Sequence, residues 1–561
     1  MPTIDVSFKD LCKLVGKKME LAKLKDEYIL YAKGEVDEAK GDALKIDIKD
    51  TNRPDLWSAE GIAREIKGRI TSHKGLPKYR LGKSRVVVKV DKKNKDVRPY
   101  TVCAVAKGLK IDDNVMSQMI QLQEKVCNTF GRNRKEVAIG VYDLRKIKPP
   151  IKFTTVKPDG IKFVPLEFDK ELTPAQILKQ HPKGKEYGNL LAGFKEYPIF
   201  IDSAGNVLSI PPIINSDYTG KVTTKTRDLF IECSGFNFKF LMPALNVIVA
   251  ALADRGARIQ SVKVTYPTKV YNGKRILHTP DLSPKKFTVD ASYVNKVSGL
   301  NLTPAQMKKL LEQARYKVRV KSAKKAKKIE VLYPAYRQDI MHPRNVAEDV
   351  IISYGYNKIE PVVPKFAAIG SIDKKELFAN TVAEIAVGLG LQEILSYTLT
   401  NKDNLFKKMN IAEQPVAEVE NPVSMNWNVF RNWLLPSVLE FLSNNQHVEY
   451  PQKVFEIGDV VLLDETQETK TKDVRKLACA IGDARVSYEE VSSILNTLMA
   501  TLGVKYKLEA AKHKSFIDGR VANVVVGGKN VGMIGEISPA VLENWKLEMP
   551  IAAFEIDIER L

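Results

Sequence analysis

Apolar residues in this chain never hold one period for long, which argues against a repetitive architecture and for several mixed α+β domains. Ile62, Ile66 and Ile70 recur at i, i+4 and i+8, the spacing of one helix face. Val262 and Val264 instead alternate with Ser261, Lys263 and Thr265, the spacing of a half-buried strand. The longest apolar stretch, "FKFLMPALNVIVAALADRG", is broken by Lys239, Pro243 and Asn246, and it is too short and too interrupted to span a bilayer. With 561 residues, 44% of them hydrophobic, the chain has material for about three to five domains, each with its own core.

Four segments follow from the changes of texture. Residues 1–80 form a mixed unit, with paired strands over 26–49 and a helix in "DLWSAEGIAREIKGRI". Residues 84–272 are strand-rich, with helices near 114–129 and 240–256, and read as an α+β domain. Residues 284–361 contain a helix opened by Thr303 as cap and Pro304 at its first position, followed by a basic turn, "KSAKKAKK", at 321–328. Residues 366–561 make a final unit of helices and strands.

Charge and cysteine usage narrow the class. The 88 Lys and Arg against 67 Asp and Glu leave a formal net charge of +21, which favours a polyanionic partner such as nucleic acid. Basic runs such as "KVDKKNKDVR" at 89–98 read equally as an RNA-backbone track or as solvated hairpin surface. The five cysteines are scattered and form no C-x-x-C, so the sequence indicates neither a disulfide framework nor a zinc site. The amphipathic, charged start is unlike a signal peptide, and the expected location is the cytoplasm.

Two stretches carry candidate chemistry. In "YRQDIMHPRNVAEDVIISYGYNKI", Pro343 suits the first turn of a helix, which puts Asn345, Glu348 and Asp349 on one face with Asp339 just upstream. Such an all-oxygen set suits Mg²⁺, but an acidic first turn also simply complements the helix dipole, and spacing does not separate the two. In "RDLFIECSG", strand alternation places Phe230, Glu232 and Ser234 on one face and Leu229, Ile231 and Cys233 on the other. An acid and a hydroxyl beside an aromatic suit a small aromatic amino acid; the plain alternative is the wet side of an ordinary strand.

The motifs taken in order resemble the β subunits of phenylalanyl-tRNA synthetases. They are "TNRPDLWSAEGIAREIKG" at 51–68, "GRNRKEVAIGVYDL" at 131–144, "LSIPPIINSD" at 208–217, "TPDLSPKKFTVDASYVNKVSGLNLT" at 279–303, the acidic stretch at 336–359, and "VFRNWLLPSVLEFLSNN" with "VFEIGDVV". The resemblance covers essentially the whole chain and is to the short archaeal and eukaryotic form. It implies an α+β multidomain fold: an N-terminal B1-like domain (1–80), a B3/B4 tRNA editing domain (84–272), a winged, DNA-binding-like B5 domain (284–361), and a C-terminal class II synthetase-like antiparallel sheet with helices (366–561).

The resemblance also implies function. The partner is a catalytic α subunit in an (αβ)₂ heterotetramer that charges tRNA-Phe and binds ATP itself. The editing domain hydrolyses Tyr-tRNA-Phe, with Glu232, Ser234 and Ser209 at the matching pocket positions and Arg134 near the tRNA end. The family's Asp-x-Thr is here Glu-Cys-Ser. Magnesium, shared with the α subunit, falls to Asp339, Asn345, Glu348 and Asp349, with Asn345 replacing the usual Asp and removing one charge. Class II activation needs an Arg in motif 2 and another after a Gly-rich run. "KVFEIGDVVLLD" has no Arg and no Gly-rich run precedes Arg560, so residues 366–561 are expected to keep the fold without the chemistry. A scaffold with a dead pocket and a free-standing deacylase are the rival readings.

Overall fold

The structure is a computed structural model that describes residues 2–322 and 327–561; the centre of the expected basic turn, 323–326, lies outside the described residues. The chain divides into two compact units, Met1–Val362 and Val363–Leu561. Among the described residues no helix is long and apolar enough to cross a membrane.

The first unit begins with a three-stranded antiparallel sheet in which Ala43–Ile48 lies between Thr3–Ser7 and Gly34–Lys40. The expected strand pair starts later than residue 26, because Tyr28–Ala32 winds into a 3-10 turn that Lys33 ends at φ 55. Helix Ala59–Ile70 is capped by Ser58, whose hydroxyl accepts from the Gly61 N–H at 3.2 Å. Ile62 and Ile66 are fully buried on its inner face.

A ten-stranded mixed sheet follows, and it ends in the antiparallel strands Tyr100–Lys107, Leu229–Gly235 and Val137–Asp143, in that spatial order with the last at the edge. One face packs on helices Asp113–Lys125 and Phe238–Asp254, where Leu229, Ile231 and Cys233 meet Leu241 and Leu245. On the other face Phe230 joins Cys103, Tyr142, Phe153 and Phe200 in a second core. The sheet curls back on itself, so Tyr142 near one edge reaches Ser209 on strand Val207–Ile210 near the other. The two faces of Leu229–Gly235 are as alternation predicts, but neither is wet: all seven residues are buried.

Residues beyond 284 fold as a three-stranded sheet, Lys285–Asp290, Lys327–Tyr333 and Lys317–Ser322, with three helices. Helix Pro304–Gln313 has Pro304 at its first turn and a capping box between Thr303 and Gln306. Helix Pro343–Tyr354 opens at Pro343, with His342 as cap.

The second unit is a seven-stranded sheet, antiparallel except for the first pair, with Thr471–Gly482 flanked by Gln452–Leu463 and Ile551–Asp557. Helices Lys374–Gly388 and Tyr488–Thr501 fill the core on one face, and Leu435–Asn444 and Pro539–Asn544 that on the other.

Candidate functional site

Strand Leu229–Gly235 forms part of the floor of a cavity of about 620 Å³. Met116 and Met119 from helix Asp113–Lys125, with Ile139 and Val141, give it apolar walls; Ser209 and Glu232 supply polar groups. The Tyr142 hydroxyl lies 2.7 Å from Ser209 Oγ and 3.2 Å from Glu232 Oε1. Glu232 Oε2 is buried without any protein hydrogen-bond partner. Room for this arrangement comes from Gly140, which pairs directly with Glu232 across the strands. A Cβ there would stand 2.1 Å from Tyr142 Oη and 2.7 Å from Glu232 Oε1.

The electrostatics follow from burial. Burial drives the Glu232 carboxyl up to about 8, against the opposing pull of Arg98 and of the nearby Tyr142 and Ser234 hydroxyls. Burial likewise brings Arg98 down to about 10, with Glu232 pulling the other way. Burial and the Glu232 charge push the Tyr142 phenol well above its ordinary value, so it remains a hydroxyl donor. The site therefore holds a carboxyl that is largely neutral near pH 7, with one oxygen engaged internally.

The structure brings Glu232 and Ser209 together but gives Ser234 a different place. Ser234 does not line the cavity; Arg98 donates from Nε to its Oγ at 3.0 Å and from Nη2 to its carbonyl at 2.5 Å. Arg98 lies in the basic run at 89–98, where Lys92, Lys93 and Lys95 are exposed but Asn94 and Arg98 are buried, so the run is not one continuous backbone-tracking surface. Arg134 is committed as well. It pairs with Glu124 at 2.7 Å, donates to the carbonyls of Pro212 and Ile213, and stacks over Tyr187, so it braces the cavity rim and is not free to hold a tRNA end. Arg134 closes a run of three non-glycine residues, with Arg132 and Asn133, that share positive φ. Among the described residues no histidine lines the cavity.

The acidic stretch does not assemble a metal site. Arg337 is buried between Asp339, which it grips through two nitrogens, and Asp349, to which Nη1 donates at 2.7 Å. Tyr316 donates to the same Asp349 carboxylate at 2.5 Å. Asn345 spends its side-chain oxygen on the backbone N–H of His342 at 2.8 Å, closing a capping box. Glu348 turns outward to Lys33 at 3.0 Å, whereas Asp349 turns inward, because successive helix residues point about 100° apart. At least one oxygen of each residue already has a cationic or N–H partner, so the residues present do not fit a resident Mg²⁺. Among the described residues no group of three or more His, Cys, Asp or Glu is arranged to hold a metal ion.

What the stretch does hold is the "TNRPDLW" segment. Arg53 donates to Asp55 at 2.8 and 2.9 Å and to Glu65 at 2.8 Å, and its Nε lies 3.8 Å from Asp339. Arg69 completes Glu65 at 2.6 Å. Helix Ala59–Ile70 reaches the sheet domain in turn, through Arg64 to Asp254 at 2.7 Å and Glu60 to Arg255. Burial alone would raise Glu65 and Asp349, but Arg53 and Arg69 hold Glu65 down to about 2, and Arg337, with Lys33 and Arg53, holds Asp349 well below its ordinary value.

In the second unit the strand lacking its own arginine has one packed against it. Arg431 donates to Glu456 and to Ser396, each at 2.8 Å, and both members of the ion pair are buried. Gly458 leaves the space that the guanidinium occupies: a Cβ there would be 2.3 Å from Arg431 Nη2. This arginine is neutralised within the fold.

Both units match modules of tRNA synthetases. Residues 287–356 match the family described as the tRNA synthetase B5 domain, and residues 359–558 that described as the phenylalanyl tRNA synthetase beta chain CLM domain. The phenylalanine–tRNA ligase β subunit of Pyrococcus abyssi is 51% identical over all of both chains, and that of Methanocaldococcus jannaschii 40% identical over the same extent. The crystal structure of an N-terminal fragment of the phenylalanyl-tRNA synthetase β subunit from Pyrococcus horikoshii is 49% identical and covers 63% of this chain and all of the fragment, with a TM-score of 0.59. The chain belongs to the family of phenylalanine–tRNA ligase β subunits.

Proposed function

We propose that this chain pairs with a catalytic α subunit in an (αβ)₂ complex that charges tRNA-Phe, with ATP held by the α subunit, and that its own cavity hydrolyses Tyr-tRNA-Phe. The observation that carries the editing reading is Glu232: a buried carboxyl in the lining of a cavity of about 620 Å³, with one oxygen unpartnered. Tyrosine exceeds phenylalanine by one hydroxyl, and a pocket shaped for phenylalanine rejects that addition weakly, which makes a second sieve useful. A cavity that satisfies Glu232 Oε2 with a phenol leaves it unpaired when phenylalanine enters, so the correct ester is spared. With no histidine on the cavity wall, hydrolysis falls to a positioned water assisted by the ribose hydroxyl of the tRNA. We assign the acidic stretch at 336–349 a structural role and no metal step.

The test is hydrolysis of preformed Tyr-tRNA-Phe by the protein co-purified with its α subunit, with Phe-tRNA-Phe as control. Wild type should release tyrosine and spare phenylalanine, and Glu232→Ala should lose that preference. A wild-type complex that charges tRNA with phenylalanine yet cleaves neither ester would reduce this chain to a scaffold and tRNA-binding subunit.

A further inference from the structure

We propose that Tyr142 is the positioning residue of this cavity: its phenol, anchored on Ser209, claims Oε1 of Glu232 and so leaves Oε2 as the one atom that reads the substrate hydroxyl. This rests on the editing reading and adds to it the identity of the discriminating oxygen. Three observations carry it. Tyr142 Oη spans Ser209 Oγ at 2.7 Å and Glu232 Oε1 at 3.2 Å. Glu232 Oε2 has no protein partner although it is fully buried. Gly140, opposite Glu232, is the residue whose missing Cβ lets the phenol and the carboxyl meet.

The hydrogen-bond count explains the assignment. A phenol has one proton to give. When Glu232 is ionised, Tyr142 donates to Oε1, Ser209 donates to Tyr142, and Oε2 is an acceptor for the substrate phenol. When Glu232 is neutral with its proton on Oε2, Tyr142 donates to Ser209 or Oε1, and Oε2 donates to the substrate phenol. Both protonation states read a hydroxyl at the same atom, and neither offers a phenylalanine ring anything. Ser234 is held by Arg98 at its hydroxyl oxygen and its carbonyl and does not line the cavity, so it offers the substrate phenol no group of its own. Without the Tyr142 hydroxyl, both carboxyl oxygens are open, the carboxyl is free to rotate, and water satisfies it whichever ester is bound.

The charged and titratable groups around Glu232 are Arg98 beside Ser234, Cys103 on the neighbouring strand, Cys127 and Cys233 across the sheet, and Tyr142 itself, with the Arg134–Glu124 pair, Glu167, Lys183, Asp217 and Lys221 elsewhere in the cavity lining. Of these, Tyr142 can be reduced by one atom, as Tyr142→Phe, without changing the ring that packs on Phe230 at 5.9 Å between centroids.

The experiment compares wild type, Tyr142→Phe and Ser209→Ala in the complex with the α subunit, measuring kcat/KM for hydrolysis of Tyr-tRNA-Phe and Phe-tRNA-Phe from pH 6 to pH 9. Charging with phenylalanine reports that each variant is folded. Tyr142→Phe should lower the Tyr-over-Phe ratio about tenfold, the effect of one misplaced hydrogen bond in a buried site. It should also move upward the pH midpoint at which the complex loses the stability tied to the Glu232 proton, read from urea midpoints over the same pH range, because the Tyr142 hydrogen bond acts to lower the Glu232 pKa. Ser209→Ala, which leaves the phenol but removes its anchor, should lower the ratio less. If wild type discriminates and Tyr142→Phe keeps both the ratio and the midpoint, the role of Tyr142 is wrong and the editing reading stands. If wild type cleaves neither ester, both fail together.

Discussion

Arg337 donates to Asp349 at 2.7 Å with both side chains almost fully buried, and this contact decides what the acidic stretch is for. Because Arg337 also grips Asp339, and Asp339 faces Arg53, the stretch at 336–349 and the "TNRPDLW" segment are two halves of one buried charge network. Removing one partner from such a pair leaves an uncompensated buried charge, at a cost of about 3–5 kcal/mol. Arg337→Met should therefore destabilise the chain by that order and lower hydrogen-exchange protection of helix Pro343–Tyr354 within the intact complex. Chelation of divalent metal should leave the protection of that helix unchanged. Loss of protection on chelation, with Arg337→Met silent, would return these carboxylates to a metal.

The same network predicts an acid limit. Glu65 and Asp349 have folded pKa values below their unfolded ones, Glu65 at about 2 against an ordinary 4.5. A depressed carboxylate gives stability that is present above its unfolded pKa and is lost as pH falls toward the folded one. Denaturant midpoints should thus drop steeply as pH falls between about pH 4 and pH 2. Arg337→Met, which removes the main cation on Asp349, should start lower and lose less over that window. Equal losses in the two proteins would show that Asp349 is not held down by Arg337.

How much of this was legible in the sequence depends on how far apart the partners lie. The helix at Pro343 and the two faces of strand Leu229–Gly235 come from local rules of period and capping, and the structure has them where the sequence puts them. Strand alternation singles out Glu232, and resemblance alone points to Ser209; the structure puts both on one cavity wall. Tyr142 and Arg98 carry no such signal, because they reach Glu232 and Ser234 across 90 and 136 residues, through strand pairings that no local period encodes. "GVYDL" was read only as a family motif, although its Gly-x-Tyr places a bare backbone opposite Glu232 and a phenol two residues on, on the same face. The acidic stretch misled for a related reason: Arg337 sits in plain view two residues from Asp339, but spacing does not show that its guanidinium turns inward to meet both carboxylates.

Gly140 gives the sharpest separation of editing from charging. A Cβ at this position would meet Tyr142 Oη at 2.1 Å and Glu232 Oε1 at 2.7 Å, so one of the two must move. Gly140→Ala should destabilise the chain by about 1–3 kcal/mol, the usual penalty for overpacking. It should also lower Tyr-tRNA-Phe hydrolysis at least tenfold while phenylalanine charging by the complex continues. Unchanged hydrolysis would mean that the Tyr142–Glu232 contact is dispensable.

Glu232 should cost the fold stability at high pH, and the sign can be worked out. Its pKa is about 8 in the folded chain against an ordinary 4.5, so the folded state holds a proton that the unfolded state releases between those values. The stability tied to that proton is complete below pH 4.5 and is lost as pH rises through about 8. Glutamine at this position has nothing to titrate. Glu232→Gln should therefore match wild type near pH 4.5 and become more stable than wild type by a few kcal/mol near pH 8, even though it alters the residue on which editing depends. Thermal or urea midpoints of the two complexes at pH 5 and pH 8 provide the check. Curves that stay parallel across that range would show that Glu232 is solvated in the folded chain, and would remove the buried, water-free carboxyl on which the discrimination between the two esters rests.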